Sequence, residues 1–176
     1  MKLSKYLPCI LSTVIASIIT FSANAADDGL AIPVIAGEPT LADFSGMQAN
    51  SALARSMAKV ENFVQREPDD GDPATQRTEV YVGYDQERLY AVFLAFDTNP
   101  AEIRANMSSR ESIEEDDTVG ITIDTFNDQR AAFAFQSTPM GIQWDARWTE
   151  GSSRRAGFDT TWEAVWDSEA ELTDQG

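Results

Sequence analysis

RTEVYVGYDQERLYAVFLAF, residues 77–96, reads as two extended runs, RTEVYVGY and RLYAVFLAF, around the short turn Asp85-Gln86-Glu87. Both faces of the second run are apolar. Leu89, Ala91, Phe93 and Ala95 lie on one, and Tyr90, Val92, Leu94 and Phe96 on the other. A strand of that kind is expected at the centre of a sheet, covered from both sides. This hairpin sets the fold class, and the rest of the chain is read against it.

Downstream, DTVGITIDT (117–125) and QRAAFAFQS (129–137) form a second predicted hairpin. GIQWDARWT (141–149) and TWEAVWDS (161–168) are two further predicted strands, separated by the loop EGSSRRAGFDT. Between the hairpins, NPAEIRANMSSRESI places Asn99 as an N-cap and Pro100 at a first helical position, so a short helix or irregular excursion is expected. Upstream, KVENFVQ (59–65) reads as a short strand and REPDDGDPATQ (66–76) as an exposed loop. Residues 26–55 have little periodicity and read as an extended lead-in, with a helical turn near residues 40–44. Closely spaced strands with short turns and little helix predict an all-β fold, an antiparallel, jelly-roll-like β-sandwich. Its predicted span is 56–176. EAELTDQG, at 169–176, starts a new β-like segment and stops at Gly176, leaving an expected edge unpaired. The sandwich is therefore expected to be truncated at its C-terminal end, as part of a longer protein.

The first 25 residues read as a signal peptide. Lys2 and Lys5 give a positive start, residues 7–21 are almost uninterruptedly apolar, and Ser22-Ala23-Asn24-Ala25 supplies small residues for cleavage. The expected destination is the periplasm or outer membrane. The single cysteine, Cys9, lies inside this segment, and the chain contains no histidine. After cleavage neither disulfides nor thiol chemistry would be available, and the usual general base and transition-metal ligand are missing. Ser-His-Asp, Cys-His and zinc hydrolysis are excluded together. Cleavage leaves 11 of the 13 basic residues against 29 acidic ones, a net charge of −18. Such a surface argues against nucleic acid, whose phosphates call for a basic face, and against anionic lipid. It suits solubility, a divalent cation or a neutral ligand.

Two constellations could carry function. Trp144 and Trp148 share a strand face with Ile142 and Ala146, while Gln143, Asp145 and Arg147 share the other; Trp162 and Trp166 share a face with Ala164. An indole parallel to a sugar ring meets its axial C–H groups, each good contact contributing about 0.5–1.5 kcal/mol, and neighbouring polar groups fix the hydroxyls. Alternation with Ile and Ala suits a core equally well. The second constellation is acidic: Glu114, Glu115, Asp116 and Asp117 before a strand, and Asp124, Asn127 and Asp128 after it. Calcium takes six to eight oxygens. The two ends of the strand stand roughly 23 Å apart, so they cannot share an ion. A Ca²⁺ site would use one end, with Asp116 and Asp117 as its ligands, completed by a loop such as Pro68-Asp69-Asp70-Gly71-Asp72. Solvated acids are the plainer reading. Arg104, Arg110, Arg154 and Arg155 would serve either as surface ion pairs or as bidentate forks for vicinal hydroxyls. Asp145 and Glu163 could in principle pair for glycoside hydrolysis, but nothing in their spacing demands it.

The runs TEVYVGYDQERLYAVFLAFD, IRANMSSRESIEEDDTVGITIDTFNDQRAAFAF, GIQWDARW, FDTTWEAVW and LTDQG together resemble the family-9 carbohydrate-binding-module-like domain. The closer likeness is to the version at the N-terminus of bacterial envelope proteins that continue into a predicted outer-membrane β-barrel. It extends from about Ile32 to the end of the chain. The resemblance implies an antiparallel β-sandwich that binds poly- or oligosaccharide without catalysis, beside glycoside hydrolases in polysaccharide catabolism. Trp144, in GIQWD, is then the expected aromatic wall, with Trp148 beside it and Arg104, Gln143 and Asp145 as hydroxyl partners. A structural periplasmic domain, docking on or plugging a C-terminal β-barrel of the same protein, is the alternative expectation.

Overall fold

The computed structural model describes residues 29–151 and 157–176. The predicted signal peptide and the Arg154-Arg155 pair lie outside these residues.

Among the described residues seven strands form two antiparallel sheets, and helix is confined to single turns. The first sheet runs β1 (Ala58–Val60), β2 (Thr78–Tyr84), β3 (Leu89–Ala95). The second runs β4 (Val119–Ile123), β5 (Ala131–Ser137), β6 (Gln143–Thr149), β7 (Phe158–Asp159). The all-β, sandwich-like reading holds. In the β2–β3 hairpin Tyr84 faces Leu89 across the turn, where Asp85 accepts the amides of Glu87 and Arg88, both at 2.8 Å. An aspartate closing its own turn in this way needs no partner from elsewhere.

The expected position of β3 is corrected. It lies at an edge of its sheet, and β2 occupies the centre, with five consecutive buried residues. Apolar side chains on both faces report what lies above and below a strand, not what lies beside it. At the end of β3, Asp97 donates its amide to the Gln175 carbonyl at 2.9 Å, so the last residues dock there.

The lead-in is part of the folded body. Ile35, Phe44 and Ala54 join Met57, Tyr81 and Leu94 in one buried cluster on a single face of the first sheet. Phe44 meets Tyr81 at 5.1 Å between ring centroids. Burying a side chain of that size contributes about 1.5–3 kcal/mol, which explains why a segment without periodicity stays in place. Gly83 makes the cover possible, because a Cβ there would stand 2.8 Å from the Ile35 side chain. The helical turn expected near residues 40–44 is a 3-10 turn, Leu41–Phe44, with Asp43 accepting from both the amide and the hydroxyl of Thr40. α1 (Ala52–Ser56) follows, capped by the Ser51 hydroxyl, which accepts from the Ala54 amide at 2.9 Å.

Of three other segments, two differ from expectation. KVENFVQ is strand only as far as Val60; Asn62 then turns left-handed, and Val64 keeps one isolated bridge to Pro73. The excursion after β3 is irregular apart from one short 3-10 turn, Pro100–Glu102, with Asn99 at the N-cap position and Pro100 first as expected, although the Asn99 side chain makes no capping hydrogen bond. TWEAVWDS is not a strand of either sheet. It alternates inward and outward as predicted, yet no backbone-to-backbone hydrogen bond joins the described residues 161–168 to a neighbour.

Candidate functional site

The register of the second sheet sorts its side chains. Phe135 pairs with Ile121 and Asp145, and Phe133 with Ile123 and Arg147, so these residues share one face. Ala134 pairs with Ala146, Ala132 with Trp148, and Gln136 with Trp144, which places both tryptophans of β6 on the opposite face.

Residues 161–168 cross the first of these faces. Trp162 packs on Phe133 at 4.7 Å between centroids, and Trp166 meets Phe135 edge-on at 5.5 Å. Where a ladder would normally fasten such a ribbon, side chains do. Asp145, wholly buried on β6, accepts the Ala164 amide through Oδ2 at 2.7 Å and the Trp166 Nε1–H through Oδ1 at 3.2 Å. Oδ1 also accepts from Nη2 of Arg110. Gln143 donates Nε2–H to the Trp166 carbonyl at 2.9 Å, and the Ser168 hydroxyl donates to the Gly141 carbonyl at 2.8 Å.

A buried carboxylate without donors would take up a proton. Burial does push Asp145 upward, but the Ala164 amide, Arg110 and Trp166 outweigh it and hold the group below the usual carboxylate range. Arg110 is raised in turn, chiefly by its hydrogen bond to Asp145. It reaches β6 because Glu111, left-handed at φ 69°, donates its amide to the Gln143 carbonyl at 3.0 Å and docks the turn there.

Beside this hub lies an open groove of about 550 Å³, inside the range of small-ligand sites. The lead-in contributes Glu38, the excursion Ser108 and Arg110, the approach to β6 Gly141, Ile142 and Gln143, and the ribbon Asp167, Ser168 and Glu169. Four stretches distant in sequence converge on it. Ser108 Oγ is buried and has no hydrogen-bond partner among the described residues.

The predicted site residues are thereby separated. Gln143 lines the groove. Asp145 lies behind it with both oxygens engaged, so it serves as an anchor and is sealed from any ligand hydroxyl. Trp144 and Trp148 lie across the sheet, half-buried. Trp144 meets Phe158 edge-on at 5.7 Å, and Trp148 packs against Gly157, where a Cβ would stand 2.6 Å from its Nε1. Arg104 is outside the groove lining, paired through Nη2 with Asp117 Oδ1 at 3.0 Å.

The acids expected to hold calcium fasten loops. Asp117 Oδ2 accepts the Arg104 amide at 2.9 Å, and Asp116 accepts the amide and side chain of Asn106. At the far end of β4, Asp124 accepts the amides of Phe126 and Gln129, closing the turn to β5. Among the described residues no three His, Cys, Asp or Glu side chains gather closely enough for a metal ion.

Glu38 and the ribbon's Asp167 and Glu169 were missed as site residues by sequence reasoning, whereas Arg110 was weighed there as an ion pair or a fork for vicinal hydroxyls. The available signal was the Trp-x-Ala-x-Trp alternation facing Phe133 and Phe135, which points to a layer and hence to a groove at its margin. Compared with protein-family models, with curated proteins and with solved structures, the chain matches none.

Proposed function

We propose that the protein is an exported, non-catalytic carbohydrate-binding module of the cell envelope, accessory to polysaccharide breakdown. The observation that carries this reading is the groove beside Asp145. Its polar groups are held in place before any ligand arrives: Gln143 by the Trp166 carbonyl and Arg110 by a buried carboxylate. Preorganised donors and acceptors of mixed character suit a polyhydroxylated ligand, whose hydroxyls both give and take hydrogen bonds. The family-9 resemblance of the strands supports the same reading. In this proposal Gln143 and Arg110 contact the ligand, and Trp144 and Trp148 offer a second, aromatic surface on the other side of the sheet. Affinity electrophoresis and calorimetry against a polysaccharide panel test it. Retardation by at least one glycan, weakened by Gln143→Ala, is the expected result; no binding by protein shown to be folded by circular dichroism overturns it.

The second reading, a domain that docks on a β-barrel of a longer protein, is favoured by one feature. Val34 bridges to Tyr84, which pairs with Leu89, and all three are exposed, Val34 by 68%. Site-specific cross-linking from position 34 in intact envelopes separates the two readings, since only docking yields a barrel-linked product.

A further inference from the structure

The groove's charge bears on which glycans it admits. Arg110 is the one lining cation among the described residues, and Nη2 is already spent on Asp145 and on the Ala164 carbonyl. A guanidinium carries five N–H donors, so those on Nε and Nη1 remain for ligand oxygens, but its charge is met by the buried carboxylate behind it. Arg110 therefore acts in the groove as a hydrogen-bond donor and scarcely as a cation. Around it the lining carries Glu38, Asp167 and Glu169, and Glu111 and Glu163 also act on it through space. Glu38 is paired with Arg88 at 3.3 Å, which leaves Asp167 and Glu169 as the uncompensated acids of the lining, and a carboxylate or sulfate entering would meet them with no uncompensated lining cation among the described residues. An ammonium would meet the same acids favourably. Ser108 Oγ, buried and unpartnered in the wall, adds a hydroxyl whose hydrogen-bonding capacity no described residue satisfies.

Resting on the carbohydrate reading, we propose that this groove selects glycans by charge: it admits neutral and amino-bearing sugars and turns away uronates and sulfated chains. Paired arginine supplies direction for hydroxyls, while the acidic rim supplies the discrimination. Specificity of this kind works by repulsion of the wrong ligand as much as by attraction of the right one.

The test uses three polymers with one β-1,4-linked backbone and different charge: hydroxyethyl cellulose, chitosan and carboxymethyl cellulose. Affinity electrophoresis is run on the full chain at low and high salt. Chitosan and hydroxyethyl cellulose are expected to retard it, and carboxymethyl cellulose is expected to retard it at least about tenfold less. Because the whole chain is acidic, non-specific attraction to chitosan must be separated from the groove. Asp167→Asn with Glu169→Gln removes two charges from the lining. Glu67→Gln with Glu87→Gln removes two from exposed positions elsewhere. The first pair is expected to narrow the preference several-fold, and the second to leave it within about twofold. Equal effects of the two pairs, or binding of carboxymethyl cellulose as tight as that of the neutral polymer, overturn the inference. Failure of all three polymers overturns it as well, and leaves the carbohydrate reading to be judged on the wider panel.

Discussion

Arg110 and Asp145 are 35 residues apart in the chain and form a pair in which the carboxylate is wholly buried and the guanidinium side chain is 41% exposed. One partner belongs to the interior and the other to the groove wall. The same carboxylate fastens the ribbon that carries Trp162 and Trp166, so packing and site share a single residue.

Replacing that residue should be costly. Asp145→Ala removes the acceptor for an amide, an indole N–H and a guanidinium together, and loss of one member of a buried pair costs about 3–5 kcal/mol. Asp145→Asn keeps an oxygen and should cost less, about 1–3 kcal/mol. Urea unfolding followed by tryptophan fluorescence measures both. An Asp145→Ala variant within about 0.5 kcal/mol of the parent would show that the hub does not hold the ribbon.

Acid should weaken the fold in a defined window. Burial raises Asp145, but the Ala164 amide, Arg110 and Trp166 leave it lowered; Asp117 is lowered first by the Arg104 amide, and Asp124 first by the Gln129 amide. Glu79 behaves like Asp145, with burial raising it and the bonds from Lys59 and Tyr81 prevailing. For each, the unfolded chain takes up its proton before the folded one does. The stability they contribute is present above the ordinary carboxylate value of about 4 and is lost as pH falls through the lower folded values. Denaturation midpoints should therefore be flat from about pH 7 to 5 and fall below about pH 4, with Asp124→Asn starting lower and falling less. A midpoint that rises on acidification would refute this assignment.

Gly157 adopts φ +88° with its α-carbon against the Trp148 indole. Gly157→Ala imposes both an unfavourable backbone angle and a contact of 2.6 Å, and should destabilise by roughly 1–3 kcal/mol. Gly71, also at positive φ but with nothing within 4 Å of its added Cβ, provides the comparison: Gly71→Ala should cost less. Thermal melts of the two variants rank them.

The acids at the β4–β5 turn should behave as fasteners. Asp124→Ala frees the amides of Phe126 and Gln129, which should then exchange with deuterium faster than in the parent while β5 stays protected. Calcium added to the parent should leave those exchange rates unchanged. Slowing of exchange at this turn by calcium would restore the cation reading.

Much of the architecture was legible in the residues. Both hairpins were read to within two residues at most ends, because their turns carry their own acceptors and their strands are rich in β-branched and aromatic side chains. Residues 161–168 show the limit of the method. Inward and outward alternation reports burial, and a ribbon lying across a sheet face alternates just as a paired strand does. The groove was less accessible still. Glu38, Arg110, Gln143 and Asp167 come from four stretches that only the folded chain brings together. Asp145 was marked as a partner for hydroxyls because the family resemblance implies polar groups beside an aromatic wall. Its burial follows from the ribbon above it, which no local pattern announces.

The ribbon's mode of attachment has mechanical meaning. Strands in a sheet are stitched along their whole length, whereas this one is pinned at Asp145, Gln143 and Ser168. Between these pins Glu163, Val165 and Asp167 stand exposed to solvent. Asp167, Ser168 and Glu169 also line the neighbouring groove, so whatever occupies it meets the ribbon where its last pin lies.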